Sequence, residues 1–209
     1  MSRHPKAKKP DIKFLPEVHH VNPLNKQSWA TPVGMVKLIA HLIGLPGDAF
    51  DLDVCALPAT AKAKRFFTPE DNGLAQEWAG NCWCNPPFKI EQVRQWSAKV
   101  IHEVAEGRAR LSTFLDPPKS DQDWWHSMMA SGLLTGQIDF RGRINFLDEF
   151  GRPATAQSEP TICFVLEAGA RCFSPKRGWA EYLPEIDAWR GGWYGSCEEH
   201  TFYCRTRLL

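Results

Sequence analysis

Asn85, Pro86, Pro87 and Phe88 form a short segment whose residue types suit one kind of chemistry. The side-chain oxygen of Asn85 and the backbone carbonyl of Pro86 can accept both N–H groups of a planar amino group, such as N6 of adenine. Such a nitrogen is a poor nucleophile because its lone pair is delocalised into the ring, and paired acceptors draw it towards tetrahedral geometry. The prolines stiffen the loop, so the acceptors are placed before a substrate arrives. Phe88 adds a face on which a base can stack, worth roughly 1–3 kcal/mol.

A second double-proline segment, Asp116-Pro117-Pro118-Lys119, resembles the first but lacks the aromatic residue. A lysine cannot supply the same stacking face, so Asn85 is the preferred catalytic candidate. We expect Lys119 either to meet a DNA phosphate or to be an ordinary solvated surface lysine.

Both segments follow a predicted strand. Residues 81–84 and 111–115 are short apolar runs, and the two prolines that come after each run forbid further helix or central strand. The chain must therefore leave the sheet abruptly at both places. Ligands of open α/β sheets bind beyond the carboxyl ends of the strands, which is where both segments are expected.

The other elements alternate at first and become strand-rich later. Thr31 is a candidate N-cap and Pro32 a candidate first helical residue for a helix over 33–43. Further helices are predicted over 90–106 and 124–130, with helical turns near 56–64 and 74–78. Strands are predicted over 49–55, 137–140, 144–147 and 161–167. This order predicts an α/β fold with a mostly parallel sheet and an antiparallel edge.

Asn85-Pro86-Pro87-Phe88 matches the Asn/Asp-Pro-Pro-aromatic motif of amino-methyltransferases. In its wider set of motifs the chain resembles the phage-encoded Dam-like adenine-N6 methyltransferase family. The resemblance extends over roughly residues 28–170 and is carried by segments 29–32, 52–56, 67–74, 83–88, 121–126 and 142–146.

The resemblance implies a Rossmann-like methyltransferase fold, S-adenosylmethionine as cofactor and adenine in double-stranded DNA as acceptor. It places Asp53 and Cys55 in the cofactor-binding motif, Asp71 in a later cofactor-side loop, and Thr31 and Pro32 at the methionine end of the pocket. One feature departs from better-known methyltransferases, because no Gly-x-Gly follows the strand that carries Asp53 and an alanine stands there instead.

Several of these residues also have ordinary structural explanations. Asp53 could simply end a strand or cap a helix. Asp71 precedes Asn72-Gly73 and could belong to a turn. Thr31 and Pro32 suit a helix start without any ligand.

DNA contacts are expected from Arg141, Arg143 and Trp124. The two arginines flank Gly142 and could reach a phosphate or a base edge, or could lie in a plain exposed turn. Trp124 could position DNA or an extruded base, although core packing is the commoner role of such a residue. No protein partner is inferred.

Cysteine and histidine spacing was weighed for a metal site. Cys82 and Cys84 share one face of a predicted strand, and Cys197, His200 and Cys204 are close in sequence. A structural zinc needs four closed ligands, and no paired pattern supplies them. We therefore predict buried free thiols and no metal.

Composition predicts one ordinary domain over 28–209 after a basic, flexible N-terminal arm over 1–27. Six Lys or Arg face two acidic residues up to residue 26, whereas the formal net charge of the 209 residues is only +1. The arm could track DNA or merely solubilise the chain. No apolar run could span a bilayer, and no secretory signal is evident. The odd count of seven cysteines favours reduced thiols in a cytoplasm, that of a bacterial host if the chain is phage-encoded.

The predicted activity is methylation of the adenine N6 amino group in DNA. Three alternatives remain: an amino-methyltransferase acting on RNA or on protein glutamine, a phage DNA-binding protein that has lost catalysis, and a zinc-stabilised interaction module.

Overall fold

A computed structural model describes residues 29–203 except 149, 155–158, 173 and 197. The arm predicted over 1–27 lies outside these residues. The described chain forms a nine-stranded mixed sheet with three α-helices. The strands are β1 (Leu52–Asp53), β2 (Arg65–Phe66), β3 (Gly80–Trp83), β4 (Ala109–Asp116), β5 (Leu134–Arg141), β6 (Ile162–Glu167), β7 (Lys176–Leu183), β8 (Ala188–Trp193) and β9 (His200–Tyr203).

The strand order across the sheet is β2-β1-β3-β4-β6-β5-β7-β8-β9. Strands β1 to β4 are parallel to one another, so their carboxyl ends share one edge. Strand β6 is antiparallel to both β4 and β5, which makes β5 run in the same direction as β4. Strand β7 is parallel to β5, and β8 and β9 complete an antiparallel edge. The predicted α/β class with an antiparallel edge is confirmed.

The helices are α1 (Val33–Leu42), α2 (Ile90–Ala105) and α3 (Asp123–Ala130), each within about two residues of its predicted bounds. Alternate residues of a strand point to opposite faces of the sheet. Trp83 and Leu115 accordingly pack with α1 in one core, whereas Cys84 and Phe114 pack with α2 and α3 in another.

Helix α2 faces the sheet with one stripe. Val93, Trp96, Val100 and Val104 recur at helical spacing and are all buried. The helix ends before Gly107, whose φ of 71° is a conformation that glycine adopts without steric cost. The first turn of α2 follows directly from Asn85-Pro86-Pro87-Phe88, so this helix fixes where the segment leads.

Three local predictions are wrong. Residues 144–147 are extended chain with one bridging residue, Leu147, because this stretch pairs with Ala30 and Pro153 rather than with the sheet. Residues 56–64 and 74–78 form turns and bends instead of the predicted helical turns. Thr31 does not cap α1: Pro32 occupies the N-cap position, and the Thr31 hydroxyl has no partner among the described residues.

Within the described residues, every helix is too short or too polar to cross a membrane.

Candidate active site

A cavity of about 240 Å³ lies beyond the carboxyl ends of β1 and β3. Its wall comes from four parts of the chain: residues 29–31 before α1, residues from 53–62 at and after the end of β1, the loop over 68–74, and the first turns of α2. Asn85 and Pro87 close the remaining side. The predicted position beyond the parallel strands is therefore the position of the cavity.

Asn85 is held so that its two amide atoms have different roles. Its Nδ2 donates a hydrogen bond of 2.8 Å to the backbone carbonyl of Trp29. Because a carbonyl can only accept, the amide orientation is fixed. The other atom, Oδ1, is buried and has no hydrogen-bond partner among the described residues. A buried acceptor without a partner is costly, so this oxygen is suited to a donor that arrives with a substrate.

An aromatic group stands beside Asn85. The ring of Trp29 stacks on Phe146, with centroids 5.6 Å apart and an interplanar angle of 18°. Phe88 meets Phe146 edge to face at 5.9 Å. Phe88 is half-buried and does not line the cavity itself. Pro86 is buried and, like Phe88, does not line the cavity. No sequence pattern predicts Trp29 and Phe146 as members of this aromatic group.

Asp53 shapes the cavity wall from the end of β1. Its Oδ1 accepts from the backbone N–H of Cys55 at 3.3 Å and its Oδ2 from that of Lys62 at 2.9 Å. Burial raises the pKa of this carboxyl to about 6, against the opposing effect of those two bonds. Asp53 thus ties the loop that follows β1, in line with the structural explanation, and also lines the cavity.

Cys55 and Lys62 lie on the same wall. Burial, together with the charge of Asp53, raises the pKa of the Cys55 thiol to about 12, so it is neutral near pH 7. Burial also lowers the pKa of Lys62, whose ammonium donates to the Thr60 carbonyl at 2.6 Å. Lys62 was missed because a lysine in an alanine-rich stretch gives no sequence signal of its own.

Thr31 lines the cavity, and its hydroxyl is buried without a partner among the described residues. Pro32 is buried directly behind it and does not line the cavity. The structure therefore brings Thr31, but not the Pro32 ring, to the expected pocket.

Asp71 is exposed and lies outside the cavity wall. Its Oδ2 accepts from the backbone N–H and the hydroxyl of Thr68, each at 2.9 Å, and these bonds lower its pKa. The carboxylate thus closes a turn, and the loop that it closes supplies wall residues on both sides of it, Thr68, Pro69, Asn72 and Gly73.

Gly73 provides the close backbone approach that was sought after β1. A Cβ added there would lie 2.2 Å from the carbonyl oxygen of Val54, so only glycine fits. The indole N–H of Trp78 also holds the Gly73 carbonyl at 2.9 Å. Gly73 therefore lets the 68–74 loop approach the backbone directly after β1, where the sequence has no Gly-x-Gly.

Helix α2 adds residues that were also missed. Gln92, Gln95 and Trp96 line the cavity at i, i+3 and i+4, and the Gln92 side-chain oxygen is buried without a partner among the described residues. Their helical spacing immediately after the double proline was the available signal.

The expected DNA contacts lie outside the cavity. Lys119 pairs with Glu159 at 3.2 Å. The Arg141 guanidinium lies 4.3 Å from the ring centre of Trp179, and Arg143 is exposed just beyond it. The expected DNA contact of Trp124 is wrong. Its side chain is 3% exposed and packs against Phe114 and Phe164, so the ring belongs to the core and cannot reach DNA.

In the part of the chain that the structure describes, no group of three or more His, Cys, Asp or Glu residues could hold a metal ion. Cys82 and Cys84 are buried free thiols. Cys197 and Cys204 lie outside the described residues.

A cavity at the carboxyl edge of parallel strands, bordered by a buried amide oxygen on a double-proline corner, places the chain among α/β proteins with a ligand site at that edge. A family model described as DNA N-6-adenine-methyltransferase (Dam) matches residues 19–174, and the chain belongs to this family. The family resemblance drawn from the motifs is confirmed.

A curated relative is the DNA N-6-adenine-methyltransferase of Haemophilus phage HP1 (strain HP1c1), to which the chain is 40% identical over 82 residues. The match covers 37% of this chain and 46% of the relative, so it spans about half of the relative's length. No solved structure matches the chain.

Proposed function

We propose that this protein transfers a methyl group from S-adenosylmethionine to N6 of adenine in double-stranded DNA. The observation that carries the proposal is the Asn85 amide: its Nδ2 is engaged by the Trp29 carbonyl, which leaves Oδ1 as a buried, unpartnered acceptor beside a cavity. The name of the family and that of the phage relative support the same reaction.

The cavity fits the cofactor on three counts. It offers an unpartnered hydroxyl at Thr31, a carboxyl with a raised pKa at Asp53, and the close approach of Gly73 to Val54. These residues would hold the cofactor together with Cys55, while Asp71 would keep the 68–74 loop in place. When bound, S-adenosylmethionine supplies an electrophilic methyl group on its sulfonium.

The protein's own part in the reaction is to hold the acceptor nitrogen. Asn85 Oδ1 and the Pro86 carbonyl accept its two N–H groups, which localises the lone pair on nitrogen and directs it. Phe88, braced by Phe146, offers the stacking face, and Pro87 keeps the corner rigid. The proton that the nitrogen loses goes to solvent, so no covalent enzyme intermediate or metal is needed.

Double-stranded DNA would approach the same edge of the sheet. Lys119 follows the carboxyl end of β4 and Arg141 ends β5, and these strands run in the same direction. With Arg143 they would supply basic side chains for phosphate contacts at this edge. The adenine would leave the stack to reach Asn85, which costs a few kcal/mol. The arm over 1–27 would add charge to this contact.

We also propose a fold class and a place of action for the protein. The fold is a Rossmann-like methyltransferase fold, which the parallel strands and the cavity at their carboxyl ends support. The place of action is the cytoplasm of a bacterial host, as the phage relative suggests.

The test is incubation of the purified protein with tritium-labelled S-adenosylmethionine and unmethylated duplex DNA, followed by nucleoside mass analysis. We expect N6-methyladenine from the wild type and none above background from Asn85→Ala, since loss of one oriented polar group costs about 10²–10³ in rate. Calorimetry should show cofactor binding retained in the variant.

Asn85→Asp is the matched variant. It keeps an oxygen acceptor but loses the donor to the Trp29 carbonyl, so we expect an intermediate rate. Label appearing in RNA or in protein glutamine, with none in DNA, would replace the proposed substrate. DNA binding without cofactor binding would instead indicate a protein that has lost catalysis.

A further inference from the structure

A small turn follows β5 at the edge of the sheet that holds the cavity. The described residues of this turn, called the Phe150 turn, are Leu147, Asp148, Phe150, Gly151, Arg152 and Pro153. Asp148 organises it: its backbone N–H donates to the Arg152 carbonyl at 2.7 Å, and its Oδ1 accepts the N–H groups of Phe150 and Arg152 at 2.9 Å each. Its Oδ2 accepts Arg152 Nε at 2.8 Å.

The turn is fixed to the active site through its first residue. Leu147 and Ala30 exchange backbone hydrogen bonds of 2.8 and 2.9 Å. The neighbour of Ala30, Trp29, is the residue whose carbonyl holds Asn85. Three residues span at most about 10 Å, so the tip of the turn stays within that distance of the Leu147 Cα.

Phe150 is the most exposed large hydrophobic residue among those described, at 68%. The guanidinium of Arg152 lies 4.8 Å from its ring centre. A rigid turn that presents an aromatic ring and a cation to solvent next to a nucleobase site has the chemistry of a wedge: the ring can enter a base stack while the arginine meets phosphate.

We propose that Phe150 is a DNA wedge, which enters the duplex next to the target adenine and fills the gap that its extrusion leaves. This inference rests on the proposed function. The ring replaces part of the stacking that the extruded base loses, and Arg152 holds the ring in place and neutralises a backbone charge. Phe150 is a positioning residue, because it acts on the DNA rather than on the reacting atoms.

Tyr194 is the matched control. It is also exposed, at 53%, but follows β8, which runs antiparallel to β7 and so ends at the opposite edge of the sheet. Phe150→Ala, Phe150→Leu and Tyr194→Ala are compared with wild type. The site that the wild type methylates is first mapped on plasmid DNA. Two short duplexes then carry that site, one fully paired and one with an abasic position opposite the target adenine.

On paired DNA we expect Phe150→Ala to lower the single-turnover rate about tenfold or more, Phe150→Leu to lower it less, and Tyr194→Ala to leave it unchanged. Opposite an abasic position, extrusion is easier, and the Phe150→Ala rate should come within about twofold of wild type. Cofactor affinity should be equal in all four proteins.

Equal rates of Phe150→Ala and wild type on paired DNA would overturn the wedge, as would a defect of the same size on both duplexes. These outcomes are separate from failure of the proposed function, which would appear as a wild type that methylates neither duplex. In that case, a bound duplex in which 2-aminopurine replaces each adenine in turn still reports extrusion, and equal fluorescence from wild type and Phe150→Ala at every position would reject the wedge on its own.

Discussion

At the residue scale, the site depends on atoms that have been left without partners. The Thr31 hydroxyl, Asn85 Oδ1 and the Gln92 side-chain oxygen are all buried and unpartnered in the described structure. Each is costly in the folded protein alone, yet all three belong to residues around one cavity. Their grouping is what a site prepared for a polar ligand requires.

The sequence predicts that Asn85 supplies the hydrogen-bond acceptor, but not that the Trp29 carbonyl orients its amide. Asn85 and its prolines are contiguous, so their joint chemistry can be read directly. Trp29 lies 56 residues away, and only the folded chain brings its carbonyl to the amide. Gly73 was missed for the same reason, because its partner Val54 lies on a separate segment of the chain.

Gly73 gives a prediction about cofactor affinity. In Gly73→Ala the new methyl group would lie 2.2 Å from the Val54 carbonyl oxygen, so the backbone must move and the cavity wall with it. We expect S-adenosylmethionine to bind at least about tenfold more weakly by calorimetry, a loss of about 1.4 kcal/mol.

Gly136→Ala is the control for that variant. Its added methyl group would crowd the Trp193 ring at 3.1 Å, and neither residue belongs to the cavity wall, so it should lower stability without weakening cofactor binding. Unchanged affinity in Gly73→Ala would show that this glycine serves packing alone.

At the element scale, the amphipathic helices are the parts best predicted from the sequence. The stripe on α2 and the glycine after it define that helix within about two residues. Short strands are harder, because β1 has only two residues and its pairing comes from β2 and β3 rather than from local preference. The 144–147 segment alternates like a strand, but its backbone hydrogen bonds go to Ala30 and Ala154 rather than to the sheet.

The carboxyl-terminal part of α2 is fixed by one acidic residue. Glu103 is buried and accepts hydrogen bonds from Lys99 at 2.7 Å, from Arg108 at 2.8 Å and from the backbone N–H of Trp78 at 3.2 Å. Burial raises the pKa of Glu103, but the hydrogen bonds outweigh it and hold the pKa at about 2. This residue therefore joins α2 to the segment that carries Trp78 and, through its indole, Gly73.

We predict that Glu103→Gln lowers the free energy of unfolding at pH 7 by about 2 kcal/mol, because it weakens charge-assisted bonds to partly buried partners. A folded-state pKa below the ordinary value stabilises the protein above pH 4.5, and that contribution is lost as pH falls towards 2. The difference in the free energy of unfolding between wild type and Glu103→Gln, measured by urea unfolding, should therefore shrink from pH 6 to pH 3.

The half-exposed Glu106 is the comparison for Glu103. It lies 3.8 Å from Arg108, and Glu106→Gln should change stability little at either pH. A Glu103→Gln gap that stays constant with pH would contradict the assigned ionisation.

At the scale of the whole molecule, the sheet separates two cores, and the strands between them end at the two double-proline corners. The corners look alike in sequence but differ in environment. Asn85 has a cavity and an anchor, whereas Asp116 is 1% exposed and neither of its oxygens has a partner among the described residues. The sequence separates them only by the missing aromatic residue.

Asp116 should therefore make global stability depend on pH. Burial raises the pKa of Asp116 to about 8. The charge of Lys119 acts to lower this pKa, and the charge of Glu159 acts to raise it. Between its ordinary pKa of 3.8 and about 8, the folded protein holds a proton that the unfolded chain releases. The free energy of unfolding must then fall as pH rises through this window and level off above it.

We predict that Asp116→Asn removes this dependence, since its uncharged side chain has nearly the same shape. The variant and wild type should unfold alike near pH 3.5, below both pKa values, and the variant should become the more stable by several kcal/mol at pH 9, because each pKa unit is worth about 1.4 kcal/mol. Thermal or urea unfolding across pH 3.5–9 measures this gap in the free energy of unfolding. Asp121 is exposed, so Asp121→Asn should have the same free energy of unfolding as wild type at every pH. If the stability of wild type and that of Asp116→Asn instead change with pH in parallel, Asp116 is ionised in the folded protein throughout this range.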